Sequence, residues 1–150
     1  MTRPPNRVVL NWGGEHRFDA GRPDGPTVRV DASGATGPGP VDTLLIALGS
    51  CTAVDVVDIL AKRRTPVESL SIEVVGTRVD APQPPRPLTH ARLVYKIRGA
   101  GIERVHAERA IELAVNKYCS VRDSLDPDVP VEWALELNGD ADAIADGPVP

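Results

Sequence analysis

Residues 37–57 read GPGPVDTLLIALGSCTAVDVV, and this stretch decides the fold. Proline is tolerated in the first turn of a helix, so Pro40 marks the start of a helix that we predict over residues 41–64. Apolar residues occupy nearly every side of this helix, which is typical of a buried helix rather than an amphipathic one. The basic residues 62–64 suit the negative end of its dipole, and Pro66 ends it.

The remaining elements follow from alternation, helical spacing and turn residues. Three short β-like runs precede the helix, and a β-hairpin, a second helix, a short helical piece and a last strand follow it. In chain order their predicted bounds are 7–12, 15–20, 27–31, 67–81, 88–98, 103–119, 120–125 and 129–138. This order predicts an α+β domain over residues 1–138, and we expect the acidic tail 139–150 to be flexible. One small sheet covers an all-apolar helix poorly, so we also predict a dimer.

Composition excludes several classes of function. The chain has 150 residues, a formal net charge of −4 and no polybasic block, so a nucleic-acid partner is not expected. We expect no signal-peptide core at the N-terminus, and we expect no apolar run to approach the ~20 residues of a membrane span. The sequence therefore predicts a cytosolic, soluble protein with reduced thiols and no membrane partner.

The two cysteines, Cys51 and Cys119, carry the most specific chemical signal. They are 68 positions apart, so they form neither a CxxC motif nor a four-ligand zinc site, and the three histidines share no ligand spacing with them. Two readings stay open on the residues alone: a thiol peroxidase pair, or two inert cysteines in the core. The inert reading is favoured at this point, because free cysteine is among the most often buried residue types.

Two segments resemble the OsmC/Ohr family of osmotically inducible and organic hydroperoxide resistance proteins. Residues 37–57 resemble the first long helix of that family, and residues 116–121 (NKYCSV) resemble its second cysteine segment at the expected distance. The order of elements also matches, so the resemblance covers about residues 7–138. It implies an intertwined α+β homodimer with two central helices packed against antiparallel sheets.

The resemblance also implies an activity. Studied members of the family reduce organic and other peroxides with a thiol-disulfide pair, which implies that Cys51 attacks the peroxide and Cys119 resolves the sulfenic acid. An organic hydroperoxide would be the substrate, a dithiol of the dihydrolipoyl or thioredoxin type would be the reductant, and neither metal nor organic cofactor is expected. The alternative is a non-catalytic, dimeric binding or stress protein of the same fold with idle cysteines.

A thiolate at Cys51 needs a nearby positive charge, because the residue is predicted mid-helix and Asp55 lies one turn away. The family uses an arginine from the N-terminal region, and Arg29 is the best positional match, with Arg17 and Arg22 as weaker candidates. Asp42 stands where the family places an acidic residue that holds this arginine. Asp42 and Cys51 lie ~13 Å apart along one helix, so direct contact is excluded, and Asp42 has the alternative role of favouring the first helical turn.

Overall fold

The computed structural model describes residues 2–146 and separates into two units, Met1–Leu44 and Leu45–Pro150. The first unit contains a three-stranded antiparallel sheet in the order β1 (Val9–Trp12), β2 (Arg17–Gly21) and β3 (Val28–Asp31). The predicted N-terminal meander is confirmed.

A buried carboxylate orders the Gly/Pro loop after β3. Asp31 accepts hydrogen bonds from the hydroxyl and the backbone N–H of both Ser33 and Thr36, at 2.6 to 3.0 Å. These bonds, with the Ser33 hydroxyl first, hold the pKa of the Asp31 carboxyl well below its usual range. The loop therefore has a fixed path into the following helix.

Helix α1 (Pro40–Lys62) begins at the predicted proline and ends two residues before the predicted limit. The side chain of Asp42 accepts a hydrogen bond from the backbone N–H of Gly39 at 3.0 Å, which satisfies one of the donors that a helix start leaves free. At the other end Arg64 has a left-handed backbone (φ 63°), and the helix does not continue.

The second unit contains a four-stranded sheet in the order β4 (Ser69–Arg78), β5 (Leu88–Arg98), β6 (Val131–Leu137) and β7 (Asp140–Asp146). The hairpin β4–β5 is confirmed, and its antiparallel register pairs Ser69 with Arg98. Strand β6 instead runs parallel to β5, so the expectation of purely antiparallel sheets is wrong. The reason is the helical crossover between the two strands, which returns the chain to the same end of the sheet before β6 begins.

Strand β7 differs from the flexible tail predicted over residues 139–150. It pairs antiparallel with β6, and the turn between them is Asn138-Gly139, in which both residues have positive φ (54° and 77°). Asn-Gly is the preferred pair for such a two-residue hairpin turn, so the sequence did contain a signal for this strand. The prediction of a flexible tail gave more weight to the acidic composition of residues 139–150. Residues 147–150 lie outside the described residues, and the domain limits stay a prediction.

The second predicted helix is interrupted before the cysteine that it was expected to contain. Helix α2 (Arg104–Leu113) passes into a π-helical segment (Ala114–Tyr118), and α3 (Ser120–Asp123) begins only after Cys119. Cys119 itself is extended (φ −77°, ψ 105°), so the prediction that it lies inside a helix is wrong.

The core of the second unit lies between its sheet and its helices. Alternate residues of β5 are buried, as the sequence predicted, and α2 contributes a stripe at helical spacing. The core includes Ala91, Leu93, Tyr95 and Ile97 of β5, Val131, Trp133 and Leu135 of β6, Ala107, Ala110, Ile111 and Ala114 from α2 and the π-helical segment, and Leu48, Val56 and Leu60 of α1.

Helix α1 is only partly covered within the chain. Its inward residues are buried, whereas the apolar side chains of Ile46, Val54 and Val57 are 54%, 60% and 40% exposed. The helix is also long and apolar enough to cross a membrane by length and composition alone, which corrects the expectation that no run approaches that length. Length and composition do not distinguish such a helix from the core helix of a soluble protein.

Candidate functional site

Cys51 lies in the middle of α1, on a flank that is half-buried. The neighbouring residue, Thr52, points into the core. The hydroxyl of Thr52 donates to the carbonyl oxygen of Gly49 at 2.9 Å and accepts a hydrogen bond from the hydroxyl of Tyr95 at 2.7 Å. This bond ties α1 to β5 directly beside Cys51, and thereby fixes the rotation of the helix that presents the thiol.

Tyr95 is fully buried and remains a donor. Burial raises the pKa of its hydroxyl far above the usual range, the bond to Thr52 opposes this shift, and the nearby Cys119 adds to it. The sequence predicted Tyr95 as a core residue but gave no signal that its hydroxyl would lie near the cysteines.

Cys119 reaches the site because the chain breaks between the π-helical segment and α3. Its sulfur accepts a hydrogen bond from the backbone N–H of Arg122 at 3.2 Å, which is the bond that an N-capping side chain makes. Cysteine is not among the usual capping residues, so this helix start was not visible in the sequence.

The two thiols lie close to one another, since Cys51 packs against the core cluster that contains Cys119 and is among the groups that shift the pKa of Cys119. Burial is the largest cause that raises the pKa of Cys119, to about 11, since only 3% of the residue is exposed. The N–H of Arg122 stabilises the thiolate and opposes this rise, whereas the contact with Cys51 adds to it. Because burial outweighs the backbone N–H groups of Arg122 and Val121, which favour the thiolate, Cys119 keeps its proton at neutral pH.

The predicted arginine and acidic residue belong to the first unit, whereas both cysteines belong to the second. Arg29 forms a bidentate ion pair with Asp19, with Nε to Oδ1 at 2.8 Å and Nη2 to Oδ2 at 3.2 Å. This pair lowers the pKa of Asp19 and raises that of Arg29. Sequence reasoning missed Asp19, although it lies directly opposite Arg29 on β2 and β3.

Asp42 binds the start of its own helix, as the alternative reading of this residue predicted. Arg17 contacts the carbonyl oxygen of Gly13 at 3.4 Å and the carboxylate of Glu15 at 3.6 Å. The roles of Arg29 and Asp42 toward the thiols stay predictions. Across residues 2–146, no three His, Cys, Asp or Glu side chains are grouped so that they could hold a metal ion.

Comparisons with known proteins agree on one family. A family model described as OsmC-like protein matches residues 32–134. Protein YhfA of Escherichia coli K12 is 33% identical over 105 residues, which cover 70% of this chain and 77% of that protein. A hypothetical protein from Aquifex aeolicus VF5, known from its crystal structure, is similar at 26% identity with a TM-score of 0.75, over 91% of this chain and 99% of that one.

A more distant solved structure shows the fold alone. It is an organic hydroperoxide resistance protein OsmC from Legionella pneumophila, which is 14% identical with a TM-score of 0.65, over 91% of this chain and 99% of that one.

The pKa of Cys119 leads to a prediction about alkylation. At pH 8 in the native state, iodoacetamide should modify Cys51 more than about tenfold faster than Cys119, because only the thiolate reacts and Cys119 is buried and protonated. Peptide mapping by mass spectrometry over time measures both rates, and the urea-unfolded chain is the control in which the difference should vanish. Equal native rates, or faster modification of Cys119, would contradict this order.

Proposed function

Because the chain belongs to the OsmC-like protein family, we propose that it is a thiol peroxidase that reduces organic hydroperoxides through Cys51 and Cys119. One observation carries the proposal. The only two cysteines of the chain, 68 positions apart, lie close enough that Cys51 contributes to the raised pKa of Cys119. Two inert core cysteines need no such contact, whereas attack and resolution require it.

The raised pKa of Cys119 and the greater exposure of Cys51 support a division of labour between the sulfurs. Cys51 is the more accessible sulfur and attacks the terminal peroxide oxygen, so that an S–O bond forms, the O–O bond breaks and the alcohol leaves. Cys119 then attacks the sulfenic acid, the S–S bond forms, and the hydroxyl of the sulfenic acid leaves as water with the proton of Cys119. The two thiols supply the two electrons, and an external dithiol returns them to the disulfide.

The raised pKa of Cys119 favours a sequence in which Cys51 reacts first and Cys119 second. Two thiolates in contact would repel one another, and a second thiolate would compete for the peroxide. A protonated Cys119 does not react with the peroxide and is therefore available to attack the sulfenic acid once it has formed. Recycling by a dihydrolipoyl or thioredoxin type of dithiol belongs to a reducing compartment, so a cytosolic location is part of the proposal.

The competing function is a non-catalytic binding or stress protein. Two observations favour it, because Asp42 is bonded to Gly39 at its own helix start and Arg29 is paired with Asp19. An arginine that neutralises a carboxylate has less charge to offer a thiolate. Such an arginine is also held in one orientation, which suits a catalytic group, so the ion pair alone does not decide between the two functions.

We also propose that the protein is an intertwined homodimer. The exposed flank of α1 carries Ile46, Val54 and Val57, and every residue of β1 is exposed, including Leu10 and Trp12. Apolar surface of this kind on a soluble chain marks an interface. A second copy is the simplest partner, because like flanks of two α1 helices can cover one another around a twofold axis.

The cysteine variants test the activity. Cys51→Ser should abolish consumption of cumene hydroperoxide, whereas Cys119→Ser should react once and accumulate one sulfenic acid per chain, because only the attacking sulfur is needed for the first step. Trapping with dimedone and intact mass measure the product, and each variant is the control for the other. The wild-type chain should form an intramolecular disulfide with one equivalent of peroxide. Full activity in both variants would end the peroxidase proposal.

Arg29 should set the reactivity of Cys51. An opposite charge within ~4–6 Å lowers a thiol pKa by one to three units, so Arg29→Ala should slow the peroxide reaction by about tenfold or more and shift alkylation of Cys51 to higher pH. Arg29→Lys should restore only part of the rate, because lysine keeps the charge but lacks the planar guanidinium group and its parallel N–H donors.

Asp19→Asn is the matched control for Arg29. It weakens the same ion pair and leaves the cation in place, so a purely structural role of the pair would make both variants equally slow. If Arg17→Ala or Arg22→Ala slows the reaction instead, the catalytic role passes to that arginine.

The assembly should resist dilution. We expect a dimer at nanomolar concentration, measured by mass photometry, and Val54→Asp should weaken it because a carboxylate would be buried in the interface. Val105→Asp is the control, since Val105 is an equally exposed apolar residue (62%) on α2. A folded wild-type monomer at nanomolar concentration would refute the intertwined dimer.

A further inference from the structure

A cavity of about 280 Å³ lies between the C-terminal end of α1 and the outer face of α2. Its lining residues are Ile59, Lys62, Arg63, His106, Arg109 and Leu113. Neither cysteine lines it, and Ile59 lies two helical turns, ~12 Å, beyond Cys51 along α1. The cavity is therefore separate from the thiol pair.

The charge around this cavity is strongly positive. Lys62, Arg63 and Arg109 carry permanent charges, and among the side chains described, those of residues 2–140, none of the three forms an ion pair with a carboxylate. The nearby acidic residues of α2 are engaged elsewhere, since Glu108 pairs with Arg104 and Glu112 accepts hydrogen bonds from Asn116 and Trp133. An anion that enters the cavity would meet uncompensated charge.

A contact between two basic side chains holds one of these cations in place. Nη2 of Arg63 lies 2.8 Å from Nε2 of His106. Arginine only donates, so Nε2 of His106 is the acceptor in this contact, and Nδ1 of the same ring faces Glu103 at 3.6 Å. His106 thus positions the Arg63 guanidinium and leaves its other N–H groups for a ligand.

The cavity also has an apolar part. Ile59 and Leu113 are half-buried aliphatic side chains that face each other across the helix pair. A bare inorganic anion would gain nothing from them, whereas a hydrocarbon chain attached to the anion would bury them at about 25 cal/mol per Å². The lining therefore favours a ligand with both a charged head and an apolar chain.

The cavity lies away from the exposed apolar flank of α1. At 100° per residue, Ile59 projects about 140–160° around the helix from Ile46, Val54 and Val57, and Lys62 projects about 80° from Val54. A second copy that packs on Ile46 and Val57 would therefore lie on the side of the helix away from Ile59.

We propose that this cavity binds a small amphiphilic organic anion, with its charged oxygens on Arg63 and Arg109 and its hydrocarbon chain on Ile59 and Leu113. The planar guanidinium groups match a carboxylate or a phosphate bidentately. This inference does not rest on the proposed peroxidase activity, because no thiol takes part.

Calorimetry on the full-length, reduced protein tests the site with four probes. Sodium octanoate should bind saturably, and both 1-octanol, which lacks the charge, and inorganic phosphate, which lacks the chain, should bind at least about tenfold more weakly. Octyl phosphate shows which head group the site prefers, and saturable binding of either amphiphile supports the proposal. No saturable binding of either one, or equally tight binding of octanol or of inorganic phosphate, would overturn it.

Variants locate the binding. Arg109→Gln should weaken octanoate binding by about tenfold, the effect of losing about 1.4 kcal/mol, and Leu113→Ala should weaken octanoate but not phosphate. Arg98→Gln, an equal change of charge on the exposed face of β5, is the matched control and should bind as the wild type does. Cys51→Ser should also bind unchanged, so that failure of the peroxidase proposal and failure of this site are distinguishable. Equal affinity of Arg109→Gln and wild type, or an equal loss in Arg98→Gln, would refute the assignment.

Discussion

The packing of α1 against the sheet of the second unit is the constraint on which the rest of that unit depends. Leu48, Val56 and Leu60 are fully buried, and each contributes about 1.5 to 3 kcal/mol by leaving water. Gly49 allows the close approach, because a Cβ there would lie 2.9 Å from Cγ2 of Val74 on β4. The bond from Tyr95 to Thr52 then selects one rotation of the helix among those that apolar burial alone would permit.

This rotation determines what the thiols can do. With Thr52 directed inward, Cys51 lies on the flank next to it, where the chain can deliver a second sulfur. The delivery depends on an irregularity, since the π-helical segment ends at Tyr118 and leaves Cys119 extended at the start of α3. A regular helix through this region would continue the α2 path and carry Cys119 with it. Irregular helical turns at functional positions are common, and here the irregularity positions the sulfur of Cys119.

The hydrophobic periodicity and the turn residues of the sequence predicted most of the fold. The proline before α1, the turns between the strands and the alternation along β5 placed six of the seven strands and the long helix near their observed limits. The direction of strand pairing was harder to predict, because the sequence of β6 does not indicate whether the strand pairs parallel or antiparallel to β5. The strand after Asn138-Gly139 was missed because alternating Asp and Ala have low strand propensity, so its identity depends on the turn and on pairing with β6.

The candidate site was predictable in its sulfurs and much less so in their surroundings. Cys51 and Cys119 were recognisable as the only thiols in two family-like segments. The bond partners of the site were hidden, because the Tyr95 hydroxyl is 43 positions from Thr52 and a cysteine is an unusual cap for α3. Asp19 lies ten positions from Arg29, and only the register of β2 and β3 brings them together. Long-range pairing of this kind depends on the fold and leaves little trace in a single sequence.

If the two sulfurs form the proposed disulfide, their distance along the chain would couple the oxidation state to the lifetime of the protein. A disulfide between them would close the loop 51–119 and remove conformational entropy from the unfolded chain, which in the loop-closure model stabilises the folded state by about 4 kcal/mol. It would also join α1 to the start of α3, two elements that are held together only by side-chain packing in the reduced form. The oxidised protein would unfold less often and resist proteases longer, so the turnover of the chain would itself record its recent exposure to peroxide.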